Sequence, residues 1–172
     1  PGNHMLQSTS AARPLESARV NTLTYTGDFS NAIWVTDAGV GNTVTKTLGQ
    51  TDPEGGTSAV RLVMDYVAGT YFQCAFRYAG GLATETANRS WWIKSNTGLA
   101  YNLYIGDTPV TTIADTSWHR YEVVESGYSW GTRLCSISAD ADITVAFPQR
   151  ERNLTATSYQ RVTTDSDYDA TG

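Results

Sequence analysis

The stretch RSWWIKSN, residues 89–96, decides how this chain folds. Read as a β-strand, it points successive side chains to opposite faces of a sheet. Trp91 and Ile93 then share one face, and Trp92, Lys94 and Asn96 share the other. A core lying on one side of the strand buries only the first set. The second tryptophan needs a different cover, or a use at the surface.

The surrounding pattern supports a strand. VNTLTY (20–25), TVTKTL (43–48), SAVRLVMDYV (58–67), TYFQCAFRY (70–78), LAYNLYIG (99–106), PVTTIA (109–114), WHRYEVVE (118–125), TRLCSISA (132–139) and ITVAF (143–147) are rich in β-branched and aromatic residues. In 58–67, Val60, Leu62 and Met64 alternate with Arg61, Val63 and Asp65; in 99–106, Tyr101, Leu103 and Ile105 alternate with Asn102 and Tyr104. Between these runs lie DAGVGN, DPEGG, AGG, NTG and GDTP, which carry turn chemistry. No segment longer than ten residues shows helical apolar spacing, and only LATETANRS (82–90) could hold a helical turn. Short strands at this spacing predict an all-β fold, a jelly-roll-type antiparallel β-sandwich. Trp91 and Ile93 then lie between the sheets and Trp92 on an outer face.

Composition agrees. The 172 residues include 25 Thr, 10 Tyr and 5 Trp but only two lysines, Lys46 and Lys94. A chain of this length suits one domain with a sizeable core. Residues 1–5 read as an expression remnant, 6–19 as a linker, 20–164 as the β-sandwich domain, and 165–172 as a tail leading to a following domain. The net charge of −5 argues against nucleic acid, which needs clustered Lys and Arg. No apolar run reaches membrane-spanning length, so no membrane insertion is expected. Cys74 and Cys135 lie 61 positions apart and read as two buried reduced thiols, with a disulfide as the alternative.

Two end motifs carry a resemblance. PLESARVNTLTYTGDFSNAIW (14–34), through Leu15, Glu16, Asn21, Leu23, Thr24, Tyr25, Asp28, Phe29, Ser30 and Trp34, resembles the opening of a carbohydrate-binding-module-like jelly-roll domain of tailed-bacteriophage tail fibres and tailspikes. TATSYQRVTTDSDYDATG (155–172) resembles the closing strand of the same domains, and SWWIKS and TSWHRYEV resemble two of their inner strands. The chain departs from that pattern at Gly27, at Thr22, and in FPQRERNLTAT before the last segment. The resemblance implies a virion tail component, assembled in the bacterial host cytoplasm, usually trimeric and associated with other tail proteins. It implies a sandwich that binds host-surface polysaccharide or lipopolysaccharide, or spaces the fibre. It implies no catalysis by this domain.

Sugar-binding sandwiches need aromatic faces for C–H surfaces and planar polar groups for hydroxyls. The candidates are Trp92 and Tyr104 on outward registers, Tyr128 and Trp130 in the loop GYSWG, and Arg77 with Tyr78. The competing readings are a subunit interface for Trp92 and Tyr104 and a folded-back loop for Tyr128 and Trp130. Trp34 and Trp118 read as structural. Asp140 and Asp142, like Asp165, Asp167 and Asp169, bring oxygens close together; a structural calcium is one reading and a solvated acidic turn the other. No other cofactor is expected. Among the 17 carboxylates no spacing marks a glycosidase pair. Three functions therefore stand: a glycan-binding, receptor-proximal module for host attachment; a structural connector or virion decoration domain that mediates trimer assembly without a ligand; and, third, a polysaccharide depolymerase.

Overall fold

The structure, a computed structural model, describes residues 21–67, 74–80, 86–111, 115–126, 132–136, 139–152 and 154–164. Ten strands follow in chain order: β1 (Trp34–Ala38), β2 (Thr43–Gln50), β3 (Ala59–Asp65), β4 (Cys74–Tyr78), β5 (Ala87–Ser95), β6 (Asn102–Ile105), β7 (Thr108–Thr111), β8 (His119–Glu125), β9 (Arg133–Ser136) and β10 (Ala141–Glu151). They build two antiparallel five-stranded sheets, A in the order β1-β4-β9-β6-β7 and B in the order β2-β3-β10-β5-β8. No helix occurs among the described residues. The fold is the jelly-roll-type antiparallel β-sandwich that the alternation predicted.

Trp91 holds the sheets together. It projects inward from β5 and is fully buried. Its ring meets Trp34 of β1 edge-on at 5.7 Å and Phe76 of β4 at 6.1 Å, while Phe29 lies parallel to it at 6.5 Å. Val60, Leu62, Met64, Ile93, Ile143 and Val145 of sheet B extend this layer against Leu103, Ile105 and Leu134 of sheet A. Burying one indole removes roughly 200 Å² from water, worth about 5 kcal/mol as an upper figure. Lys46, the inward lysine of β2, is tolerated because its ammonium donates to the carbonyls of Phe29 and Trp34 at 2.9 and 3.2 Å.

The central strand of sheet B carries a proline, which a strand interior accepts only at a bulge. The β10–β5 register shifts between Ala146, opposite Trp92, and Gln149, opposite Ser90. Phe147 and Pro148 therefore oppose the single residue Trp91. Phe147 takes a φ of 51°, a left-handed conformation costing a non-glycine residue of order 1–3 kcal/mol. Its ring stacks on Tyr159 at 4.2 Å and 13°, which offsets that cost.

The bulge is where the two end segments meet. Asn21, fully buried, donates to the carbonyls of Pro148 and Gln160 and accepts from the amides of Leu23 and Arg150. The amide of Thr26 donates to the Val162 carbonyl at 2.9 Å, and the Thr26 hydroxyl bonds the Tyr159 hydroxyl at 2.8 Å. Gln149 bonds the Ser158 carbonyl and the Gln160 amide. Residues 21–26 and 158–162, which lie within the two motifs that carried the resemblance, thus form one internal clamp.

Several sequence expectations change. Residues 21–25 form no strand, because Tyr25, with φ at 54°, turns the chain and sends Leu23 into the core. β1 was not expected; its short run WVTDA has too little alternation to announce itself. Ala87–Arg89 begin β5 rather than a helical turn, since they pair with β8. Cys74 and Cys135 are both buried, and neither is in a disulfide. Ala75 lies opposite Cys135, so the neighbouring Cys74 points to the other side of sheet A, and the thiols cannot pair across it.

Two predictions follow from these contacts. Asn21→Ala strands the Pro148 carbonyl and the Arg150 amide; with about 1–3 kcal/mol for each buried orphan, chemical denaturation should show a loss of about 2 kcal/mol or more at unchanged m-value. Burial pushes the Cys135 thiol up to about 11, so the folded protein should resist thiol reagents, while the denatured, unreduced chain should titrate two thiols.

Candidate functional site

The strand order of sheet B sets the composition of its outer face. Side chains that alternate away from the core on β3, β10, β5 and β8 fall into cross-strand rows. One row holds Val63, Asp142 and Asn96, the next Arg61, Thr144, Lys94 and Trp118, and the next Ala59, Ala146, Trp92 and Arg120. From Arg61 to Trp118 is three strand spacings, about 14 Å.

The first two rows carry an ordered polar ladder. Arg61 grips Asp142 with both prongs, Nε to Oδ1 at 2.9 Å and Nη2 to Oδ2 at 2.6 Å. Asn96 Nδ2 donates to Asp142 Oδ1 at 2.7 Å, and the Thr144 hydroxyl donates to Asn96 Oδ1 at 2.7 Å. The Asn96 amide is therefore fixed in orientation. Arg61 keeps donors to spare, since a guanidinium carries five N–H groups. Its side chain remains 45% exposed and that of Asp142 20% exposed.

Beside the ladder stand two indoles. Trp92 and Trp118, both half-buried, pack against Ala59, Ala146 and Phe147 in a small cluster outside the main core, with Tyr159 on the same cluster. This is the cover that Trp92 needed: the bulge and the C-terminal segment shield part of it. The Lys94 ammonium lies 5.0 Å from the Trp118 ring centroid. Arg120, at the rim, donates to the Ser90 hydroxyl and the Thr157 carbonyl.

The sequence-derived candidates do not all converge here. Trp92 lies on this face, whereas Tyr104 lies on the outer face of sheet A, opposite Cys135 and Pro109. One surface cannot hold both. Arg77 is also on the A face, ion-paired to Asp37 and two strands from Tyr104. The middle of that face is closed, with Ala75 and Cys135 buried. Tyr78 faces the core: it is 6% exposed, edge-on to Trp34, and its hydroxyl bonds Thr24 at 2.9 Å, so it is not a surface residue. Tyr128 and Trp130 lie outside the described residues, as do Asp165, Asp167 and Asp169, the remnant and linker before residue 21, and the tail from 165.

The calcium reading of Asp140 and Asp142 does not fit their surroundings. Asp142 is taken by Arg61 and Asn96, and a guanidinium at that distance repels a second cation. Asp140 accepts the Tyr66 amide at 2.7 Å. Among the described residues no group of three acidic, cysteine or histidine side chains could hold a metal. Lys94, Asn96, Arg61 and Trp118 are the residues that sequence reasoning did not assign to a site. Lys94 and Asn96 were visible as register mates of Trp92. Arg61 and Trp118 were not, because they arrive from strands distant in sequence.

No family model and no curated protein matches the sequence. Among solved structures, the chain is similar to the enzymatically active domain of tailspike protein 4 of bacteriophage CBA120, at 14% identity and a TM-score of 0.43, over 76% of this chain and 21% of that one. It is also similar to the CBM22-1 and GH10 modules of Clostridium thermocellum N-terminal endo-1,4-β-D-xylanase 10B, complexed with xylohexaose, at 11% identity and a TM-score of 0.45, over 84% of this chain and 30% of that one. The chain thus spans about a fifth of the first and under a third of the second.

The Arg61 hydrogen bond, aided by Asn96, holds the Asp142 carboxyl below its ordinary value of 3.8. A depressed carboxylate stabilises the fold above its unfolded pKa, and that contribution is lost as pH falls through the folded value. Asp142→Asn should therefore lower the melting temperature at pH 7 and leave it close to the parent's in acid below the folded pKa. A constant gap across pH would assign the loss to hydrogen bonding alone.

Proposed function

We propose that this domain is a non-catalytic glycan-binding module of a bacteriophage tail fibre or tailspike, and that it binds host-surface polysaccharide through the outer face of sheet B. The observation that carries this reading is the conjunction of Trp118 and Trp92 with the oriented Arg61–Asp142–Asn96–Thr144 ladder on one sheet face. Indoles offer area to sugar C–H surfaces, and fixed planar amide, carboxylate and guanidinium groups suit paired hydroxyls. The end motifs that resemble phage tail domains support the virion setting.

Binding without hydrolysis is part of the proposal. A glycosidase acid needs a raised pKa, and Asp142, the carboxylate of the ladder, is shifted the other way. We take the assembly to be a homotrimer, in which several weak sites gain ~10²–10⁴ in avidity where geometry allows.

Trp118→Ala should weaken retention on host polysaccharide in affinity electrophoresis about ten-fold or more, because truncating an aromatic anchor at a binding surface costs ~1–2 kcal/mol or more. Far-UV circular dichroism should be unchanged. Retention of full binding by a folded Trp118→Ala protein would end this reading of the face.

A further inference from the structure

The chain has two lysines, and the structure uses them in different ways. Lys46 is fixed by two carbonyls inside the sandwich. Lys94 stands on the outer face of sheet B, and among the described residues no carboxylate pairs with it; its ammonium rests over Trp118. The carboxylates around it are committed elsewhere. Asp142 belongs to Arg61, and Glu122 lies 3.6 Å from Arg120. The two sheet-face arginines are thus neutralised locally while Lys94 is not, in a protein whose net charge is −5.

We propose, resting on the glycan-binding reading above, that this face selects acidic polysaccharides, with Lys94 receiving the carboxylate of a uronic-acid-type sugar. In the free protein the ammonium holds a cation–π contact, a weak interaction at an exposed site. A sugar carboxylate offers it a stronger, charge-assisted hydrogen bond. The ammonium moves from the indole to the carboxylate, and the ring face it leaves becomes the stacking surface for the sugar. The neighbouring ladder then meets hydroxyls: Arg61 and Asn96 have N–H groups left to donate, and Asp142 has lone pairs left to accept. A neutral sugar gains the stacking and the hydroxyl contacts but must displace the ammonium without recompense. That difference is the source of the selectivity.

The test compares the parent and Lys94→Gln by titration against polygalacturonate, hyaluronate and alginate, each beside its carboxyl-reduced form. The expected result is binding of at least one acid polymer, weakened about ten-fold by carboxyl reduction and by added salt. Lys94→Gln should lower binding of the acid form and raise that of the reduced form a few-fold, because no ammonium then has to leave the indole, so that the two forms bind alike. Equal binding of acid and reduced forms, or an equal effect of Lys94→Gln on both, overturns the acidic-sugar assignment while the glycan reading stands. Binding of the reduced polymers alone does the same. Failure of every polymer, acid and reduced, to bind the folded parent overturns both.

Discussion

One constraint governs the molecule: adjacent tryptophans on β5 must face opposite ways. Trp91 takes the inward position and becomes the contact between sheets, wedged among Phe29, Trp34 and Phe76. That position commits the rest of β5. Ile93 follows Trp91 into the core, and Trp92, Lys94 and Asn96 are placed on the outer face of sheet B. The bulge in β10 is sited against the same residue, since Phe147 and Pro148 together oppose Trp91. Through that bulge the N-terminal and C-terminal segments are tied to the sandwich, so the core aromatic and the terminal clamp form one continuous structure.

The second consequence is a division of labour between outer faces. Sheet A closes over Ala75 and Cys135 and pairs Arg77 with Asp37. Sheet B leaves an ordered polar ladder next to half-buried indoles. The small cluster of Ala59, Ala146, Phe147 and Tyr159 holds Trp92 and Trp118 in fixed positions, so a ligand would meet a rigid surface. Preorganisation of this kind lowers the entropic cost of association. Arg61 and Asp142 do the same for the polar side, each fixing the other.

The fold was readable because its signal is local. Val60, Leu62 and Met64, or Leu103 and Ile105, announce strands and their buried faces without reference to other parts of the chain, and all are in the core. The assignment of outward residues to one surface was not readable. Trp92 and Tyr104 both alternate outward, but which sheet holds each strand depends on the order β2-β3-β10-β5-β8, a long-range property. Tyr78 was misplaced for a simpler reason: it directly follows Arg77, so on β4 the two point to opposite faces, and Tyr78 shares the inward side of Cys74 and Phe76. Trp118 was assigned to structure, and it does pack on the outer cluster; its position beside Lys94 emerges only from the β5–β8 pairing. The end motifs read as family signature, and their physical role, a clamp of Asn21, Thr26, Gln149 and Gln160, needed coordinates to appear.

The most direct test of this account is nuclear magnetic resonance of the five indole N–H groups during titration with a bound polysaccharide. The signals of Trp92 and Trp118 should shift together, while those of Trp34, bonded to the Tyr25 carbonyl, and of the buried Trp91 should stay in place. Movement of Trp130 alone, with Trp92 and Trp118 unperturbed, would contradict the assignment of the binding surface to sheet B.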